Sequence, residues 1–96
     1  MEFKLEPSAK NDIQNEINFY NEKQKGLGKK FHDEIKHYFK AIKKNPFYQI
    51  RYKNIRCLPL KKFPIMIHYT FDEEQQRIII RAIVNTHREP KEYWVK

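Results

Sequence analysis

At 96 residues the chain makes one domain, with a core large enough to fold and little to spare. The hydrophobic fraction of 40% and aromatic fraction of 15% exclude a disordered chain. Lys and Arg number 20 against 12 Asp and Glu, a formal charge of +8, which attracts nucleic acid, an anionic surface or an acidic protein unless it serves only as a solvated face.

Lone Cys57 rules out a disulfide framework and a thiolate metal cluster. The opening "MEFKLEPSAK" has no apolar signal core, and no stretch approaches the roughly 20 apolar residues that span a bilayer. The expected compartment is the cytoplasm, with no membrane partner.

In chain order, "EFKLE" (2–6) alternates, placing Phe3 and Leu5 on one side of a short half-buried strand. Pro7 ends it, and Ser8 is the predicted N-cap of a helix. Ala9, Ile13, Ile17 and Tyr20 share one face of that helix. "KQKGLGKK" (23–30) breaks the period with both glycines of the protein. A second stripe follows at Leu27, Phe31, Ile35, Tyr38 and Ile42 and stops at "KNP", where Pro46 pushes Asn45 out of the helical region. The two helices form an αα-hairpin.

Beyond Pro46 the period changes to 2. "NIRCLPL" (54–60) reads as a strand, with Pro59 suited to an edge or a bulge. In "FPIMIHYTF" (63–71), Ile65, Ile67, Tyr69 and Phe71 share one face, and Met66, His68 and Thr70 the other. "DEEQQ" (72–76) is a polar hairpin turn, and "RIIIRAIVN" (77–85) is an interior strand covered on both faces. The order β-α-α-β-β-β predicts an α+β domain: an N-terminal strand, an αα-hairpin, then a three-stranded antiparallel meander, the helices against one face of the sheet.

Few residues have the pattern of a chemical site. His32 and His37 lie five apart, about 140° around a helix, and share no ligand face; no metal or other cofactor is expected. There is no phosphate-cradling Gly-rich loop and no nucleophile elbow. Cys57 sits in an apolar alternating strand, the setting of an inert thiol. Asp72, Glu73 and Glu74 lie together in a solvated turn. What remains is basic and aromatic: Arg51, Lys53, Arg56, Lys61, Lys62, Arg81, Arg88 and Lys91 in the sheet half of the chain. Arg81 interrupts an interior strand, so it must reach a carboxylate, a groove or a sheet end. His87 either fixes the strand exit by bonding to backbone or carries a proton near neutral pH. Metal-free RNA cleavage needs a base, an acid and cations around the phosphate. His87 supplies either proton role, Arg88 a bidentate phosphate clamp, and Tyr93 or Trp94 a stacking surface. Trp94 equally suits closure of the core, because a large ring beside a small sheet buries well.

Five stretches, "LEPSAKNDI", "GLGKKFHDEI", "NPF", "IRCLPLKKFPIMIHYTF" and "RAIVNTHREPKEYW", together resemble the RelE/ParE superfamily of bacterial toxins, in the family's order and over nearly the whole chain. The resemblance implies a single toxin domain over 1–96, from a type II toxin–antitoxin system, held inactive by a cognate acidic antitoxin. RelE-like members cut messenger RNA on the ribosome without metal, and ParE-like members poison DNA gyrase. By position, Arg88 matches the Arg that follows the last strand of the ribonuclease branch, and Tyr93 or Trp94 its C-terminal aromatic. Lys53 and Arg56 fall near its basic strand positions, with Lys61, Lys62 and Arg81 as further target-binding cations. "FPIMIHY" departs from that branch, with Ile65, Met66 and Ile67 where a cutting member carries an Arg. Phe63-Pro64 and the His87 ending are closer to the ParE-like side. The implied function is growth arrest by binding a target such as DNA gyrase; the alternatives are a ribonuclease using His87, Arg88 and Tyr93, or an inactive antitoxin-binding member. The antitoxin's acidic amphipathic segment suits a +8 chain, and self-association into a homodimer is the alternative state of the free toxin.

Overall fold

A computed structural model describes residues 1–87; Arg88, Lys91, Tyr93 and Trp94, singled out above, lie outside the described residues. The elements are β1 (Glu2–Leu5), α1 (Pro7–Lys23), α2 (Leu27–Lys44), β2 (Ile50–Tyr52), β3 (Ile55–Pro59), β4 (Ile65–Asp72) and β5 (Arg77–Asn85). They make one five-stranded sheet in the order β1-β5-β4-β3-β2. β1 runs parallel to β5, and every other pairing is antiparallel.

The expected α+β order holds, and the meander β3-β4-β5 sits inside a wider sheet. The addition is β2, three residues joined to β3 by a tight turn in which Lys53 takes a left-handed conformation, φ 50°. Three residues are too few to display a period, so the strand left no pattern in the sequence. Pro59 pairs with Met66 on one side, while β2 pairs with β3 only at Ile55 and Arg56. The proline therefore occupies a stretch where β3 is locally an edge, the position it tolerates.

Helix α1 starts earlier than Ser8 implied. Glu6 is the residue before the first turn, with extended backbone (φ −67°, ψ 151°), and Pro7 takes the first helical position, where its missing N–H would have no partner anyway. Ser8 lies within the first turn and donates a long hydrogen bond (3.4 Å) to the Arg81 carbonyl. Helix α2 stops where Pro46 requires, with Asn45 extended at φ −147°.

Both glycines of the inter-helix turn have specific work. Gly26 is left-handed at φ +87°, and Gly28 lies against α1 so closely that a Cβ would stand 2.5 Å from the Ile17 carbonyl oxygen. The Gly28 N–H donates to Asn21 Oδ1 at 2.9 Å.

The core lies between the hairpin and one sheet face. Phe31, Ile35 and Ile42 meet Ile67, Tyr69, Ile78 and Ile80 there, all essentially inaccessible. Tyr69 reaches the end of α2: its hydroxyl donates to the Pro46 carbonyl (2.9 Å) and accepts the Tyr48 N–H (3.3 Å). Burial pushes its pKa up to about 12. A smaller cluster of Cys57, Met66 and Val84, with Tyr52, Ile55 and Ala82 against it, occupies the opposite face.

The doubly covered strand "RIIIRAIVN" contains one irregularity. His68 pairs with Ala82 but Tyr69 with Ile80, so Arg81 is an extra residue on β5. Such a bulge reverses the alternation. Ile78 and Ile80 before it, and Ile83 after it, all reach the main core, while Ala82 and Val84 face the smaller cluster.

Candidate functional site

The predicted basic residues do not converge. Lys53 is exposed at the β2–β3 turn. Arg56 is occupied: its guanidinium donates to the Tyr48 carbonyl at 2.8 Å and lies over the Phe47 ring, 5.5 Å from its centroid. Arg81 sits mid-sheet, where it forms an ion pair with Glu6 and donates to the Thr70 hydroxyl at 3.2 Å. The carboxylate thus answers the cost of a charge in an interior strand. Lys61 and Lys62 lie in the β3–β4 loop, at the opposite end of β3 from Lys53. The Lys61 backbone N–H donates to the Tyr38 hydroxyl (3.2 Å), tying this loop to α2.

His87 stands exposed just past β5. The strand exit is fixed by its neighbours: the Thr86 N–H donates to the Pro64 carbonyl at 2.8 Å, and the His87 N–H donates to Asn85 Oδ1 at 3.0 Å. Asn85 is itself 1% exposed, and its Nδ2 donates to Glu16 Oε1 at 3.1 Å and more weakly to the Tyr20 hydroxyl at 3.4 Å. One turn earlier in α1, Asp12 Oδ2 accepts the Ile83 N–H at 3.0 Å. Two carboxylates of α1 thereby clamp the end of β5. Their spacing was the available signal, since Asp12 and Glu16 fall between Ala9, Ile13 and Tyr20 on the inward face.

Around this clamp the surface is concave. A groove of about 870 Å³ runs between α2 and the β3–β4 loop, lined by Tyr20, Leu27, Lys30, Asp33, Glu34, His37, Lys62, Phe63 and Pro64. A smaller hollow of about 330 Å³, lined by Phe19, Tyr20, Lys23, Pro64, Asn85 and His87, shares its Tyr20–Pro64 wall. The floor is aromatic: Phe63 packs on Tyr20 (centroids 4.9 Å) and Phe31 (5.6 Å). Of the predicted residues, the groove and hollow bring together Lys62 and His87. Leu27, Lys30 and Phe63 carried no chemical signal in the sequence, because their meeting depends on the tie between the loop and α2. An apolar floor with a charged rim is suited to an amphipathic peptide segment.

On the other face of the sheet, His68 is 3% exposed, and the Tyr52 hydroxyl lies 3.2 Å from its Nδ1. Its Nε2 is buried without a hydrogen-bond partner among the described residues. Burial, reinforced by the Arg51 charge, pushes its pKa down to about 4, so the ring is neutral at pH 7. Burial pushes the neighbouring Cys57 thiol up to about 11, which leaves it protonated and poorly nucleophilic. Among the described residues, no group of three or more His, Cys, Asp and Glu side chains could hold a metal ion, and no helix is long and apolar enough to cross a membrane.

No protein-family model and no curated protein matches the chain. Among solved structures, a chain of the one described as "Chromosomal ParDE TA system from P. aeruginosa" is similar over 88% of this chain and 95% of that chain, with a TM-score of 0.78 and 17% sequence identity. At that identity the likeness is one of fold, and this chain shares the α+β fold of a component of a ParDE system, in keeping with the RelE/ParE-like resemblance in its sequence.

Proposed function

We propose that this chain is the toxin of a type II toxin–antitoxin pair, ParE-like in action, arresting growth when free of its antitoxin by binding a target such as DNA gyrase. The observation that carries the reading is the fold shared with a chain of a ParDE system along 88% of the sequence. Two further features support it. The groove beside α2 offers an apolar floor and a mixed rim, Lys30 and Lys62 with Asp33 and Glu34, which suits an amphipathic antitoxin segment. Ile65, Met66 and Ile67 are buried in β4, where a message-cutting relative carries an Arg, which favours binding over RNA cleavage.

The test is induction of the chain alone in bacteria, then with the short acidic protein of a neighbouring reading frame. Expected are growth arrest, rescue by the neighbour, intact messages, and loss of supercoiling by purified gyrase on addition of the protein. New messenger 5′ ends inside ribosome-covered codons, lost in Arg88→Ala, would replace this reading with the ribonuclease. Normal growth with the folded protein present would replace it with an inactive antitoxin-binding member.

A further inference from the structure

The exposed face of α2 has a composition unlike the rest of the molecule. Its exposed positions are Lys29, Lys30, Asp33, Lys36, His37, Lys40, Lys43 and Lys44, six lysines against one acid. Asp33 is engaged by Lys29 at 3.0 Å, and that hydrogen bond, helped by the charges of Lys29 and Lys36, lowers the pKa of the carboxyl. From Lys36 to the helix end there is no acidic residue at all.

Lys36, Lys40 and Lys44 follow one another at four-residue intervals, which stacks like charges about 6 Å apart along the helix. Lysines in the last turn complement the helix dipole, and that accounts for Lys43 and Lys44. Lys43 also lies over the Phe3 ring, 4.5 Å from its centroid. Neither the dipole nor an aromatic ring accounts for Lys36 and Lys40. The acid that attracts Lys36 is Asp33, already bonded to Lys29, and Lys40 has no acid three or four residues away. Repulsion between the two lysines costs the free helix stability. A shallow hollow along this face is lined by His37, Lys40, Ala41, Lys43 and Lys44.

We infer that the exposed face of α2 is a docking surface for the sugar-phosphate backbone of a nucleic-acid duplex, bound without regard to sequence. The charge selects a polyanion, and the rest of the composition selects among polyanions. A membrane-surface helix presents apolar side chains to the lipid, but the apolar face of α2, at Phe31, Ile35 and Ile42, is spent on the core. An acidic amphipathic peptide needs a seat for bulky apolar side chains; the neighbouring groove offers Tyr20, Leu27 and Phe63, whereas the hollow on this face is walled by lysine stems, His37 and Ala41. A partner whose own surface is a dense row of charges needs only what α2 presents. The cations are all lysine, and α2 contains no arginine, asparagine or glutamine. Adenine edges are read by the amide side chains and guanine best by the arginine fork, none of which α2 carries. Lysine also reaches guanine O6 and N7, but its ammonium is foremost a point charge on phosphate. The face therefore positions the protein on a backbone and does not choose a sequence.

This inference does not depend on the toxin reading. The test uses the full chain and a fluorescein-labelled mixed-sequence DNA duplex of about 20 base pairs, followed by anisotropy between about 50 and 200 mM NaCl. Lys36→Gln/Lys40→Gln should weaken binding by at least about tenfold and make the salt slope shallower by about 1.8, two phosphate contacts' worth. Lys36→Arg/Lys40→Arg should keep both. The control Lys4→Gln/Lys10→Gln removes equal charge from exposed positions on β1 and α1 and should leave most of the affinity. All four lysines are exposed, so thermal melting should match across the set. The inference fails if the parent chain does not bind the duplex, or if the two glutamine pairs lose affinity equally. It also fails if polyglutamate of matched charge competes as well as unlabelled duplex, which would assign the face to an acidic protein.

Discussion

Gly28→Ala tests how the hairpin is built. The added methyl would stand 2.5 Å from the Ile17 carbonyl oxygen and 2.7 Å from the Asn21 side chain, where ordinary contact begins at 3.4 Å. Restoring that contact requires the helices to part by 3.4 − 2.5 = 0.9 Å. Asn21 can turn aside only by releasing the 2.9 Å bond it accepts from the Gly28 N–H, and the Ile17 carbonyl is held in its helix. A gap of that width forfeits a quarter to a half of the dispersion between facing atoms, and overpacking of this kind costs about 1–3 kcal/mol. Because the blocking atom is backbone, the upper end applies. Alanine returns about 1 kcal/mol of helix propensity, leaving a net loss of about 2 kcal/mol. For a domain of this size, that lowers the melting temperature by roughly 8–16 °C, readable by far-UV circular dichroism. Gly26→Ala is the comparison: the site is open but left-handed, so it should lose only about 1 kcal/mol. An unchanged or raised melting temperature for Gly28→Ala would refute the close crossing and, with it, the placement of Tyr20 and Leu27 in the groove wall.

Protonation of His68 should make the protein acid-sensitive. Its folded pKa, about 4, lies below the unfolded value of 6.5, so its stabilising effect is complete above about pH 6.5 and is lost as pH falls toward 4. The loss is roughly 3 kcal/mol, and urea midpoints against pH should show a flatter slope in that window for His68→Leu. Tyr69→Phe should cost about 1–3 kcal/mol, because the Pro46 carbonyl loses its donor and the Tyr48 N–H its acceptor; urea unfolding measures it. Cys57, buried and held as a thiol, should react with iodoacetamide only at the rate of unfolding, whereas prompt native-state labelling would contradict its burial.

Periodicity made most of the fold legible, and the exceptions share a cause. Ile13, Ile17 and Tyr20 on α1, and Phe31, Ile35 and Ile42 on α2, pack on the core as their spacing implied. Long elements with a buried stripe announce themselves in this way. β2 did not, because three residues cannot repeat a period. The bulge at Arg81 did not either, since a strand with apolar residues on both faces offers no alternation for an extra residue to break. Within the candidate site, His87 and Lys62 were visible as residue types. Leu27 and Phe63 were not, because the groove they line is made by a contact between the β3–β4 loop and α2, and no local pattern encodes that contact.

The two cation types divide along the same line. Among the described residues, all four arginines lie in the sheet half, and three are held: Arg56 on the Tyr48 carbonyl, Arg77 on Glu2 and Arg81 on Glu6. In the helix hairpin every cation is a lysine, and α2 shows most of them to solvent. A planar five-donor fork suits fixed internal geometry, and a hydrated point charge on a flexible stem suits a partner that is not yet present. Arginine therefore fastens β1 to β5 and the 46–48 segment to β3, while lysine supplies the excess charge. If the +8 were merely a solvated surface, lysines removed from α1 and from α2 would be interchangeable in polyanion binding. The unequal effect expected of Lys36→Gln/Lys40→Gln and Lys4→Gln/Lys10→Gln separates a placed charge from a diffuse one.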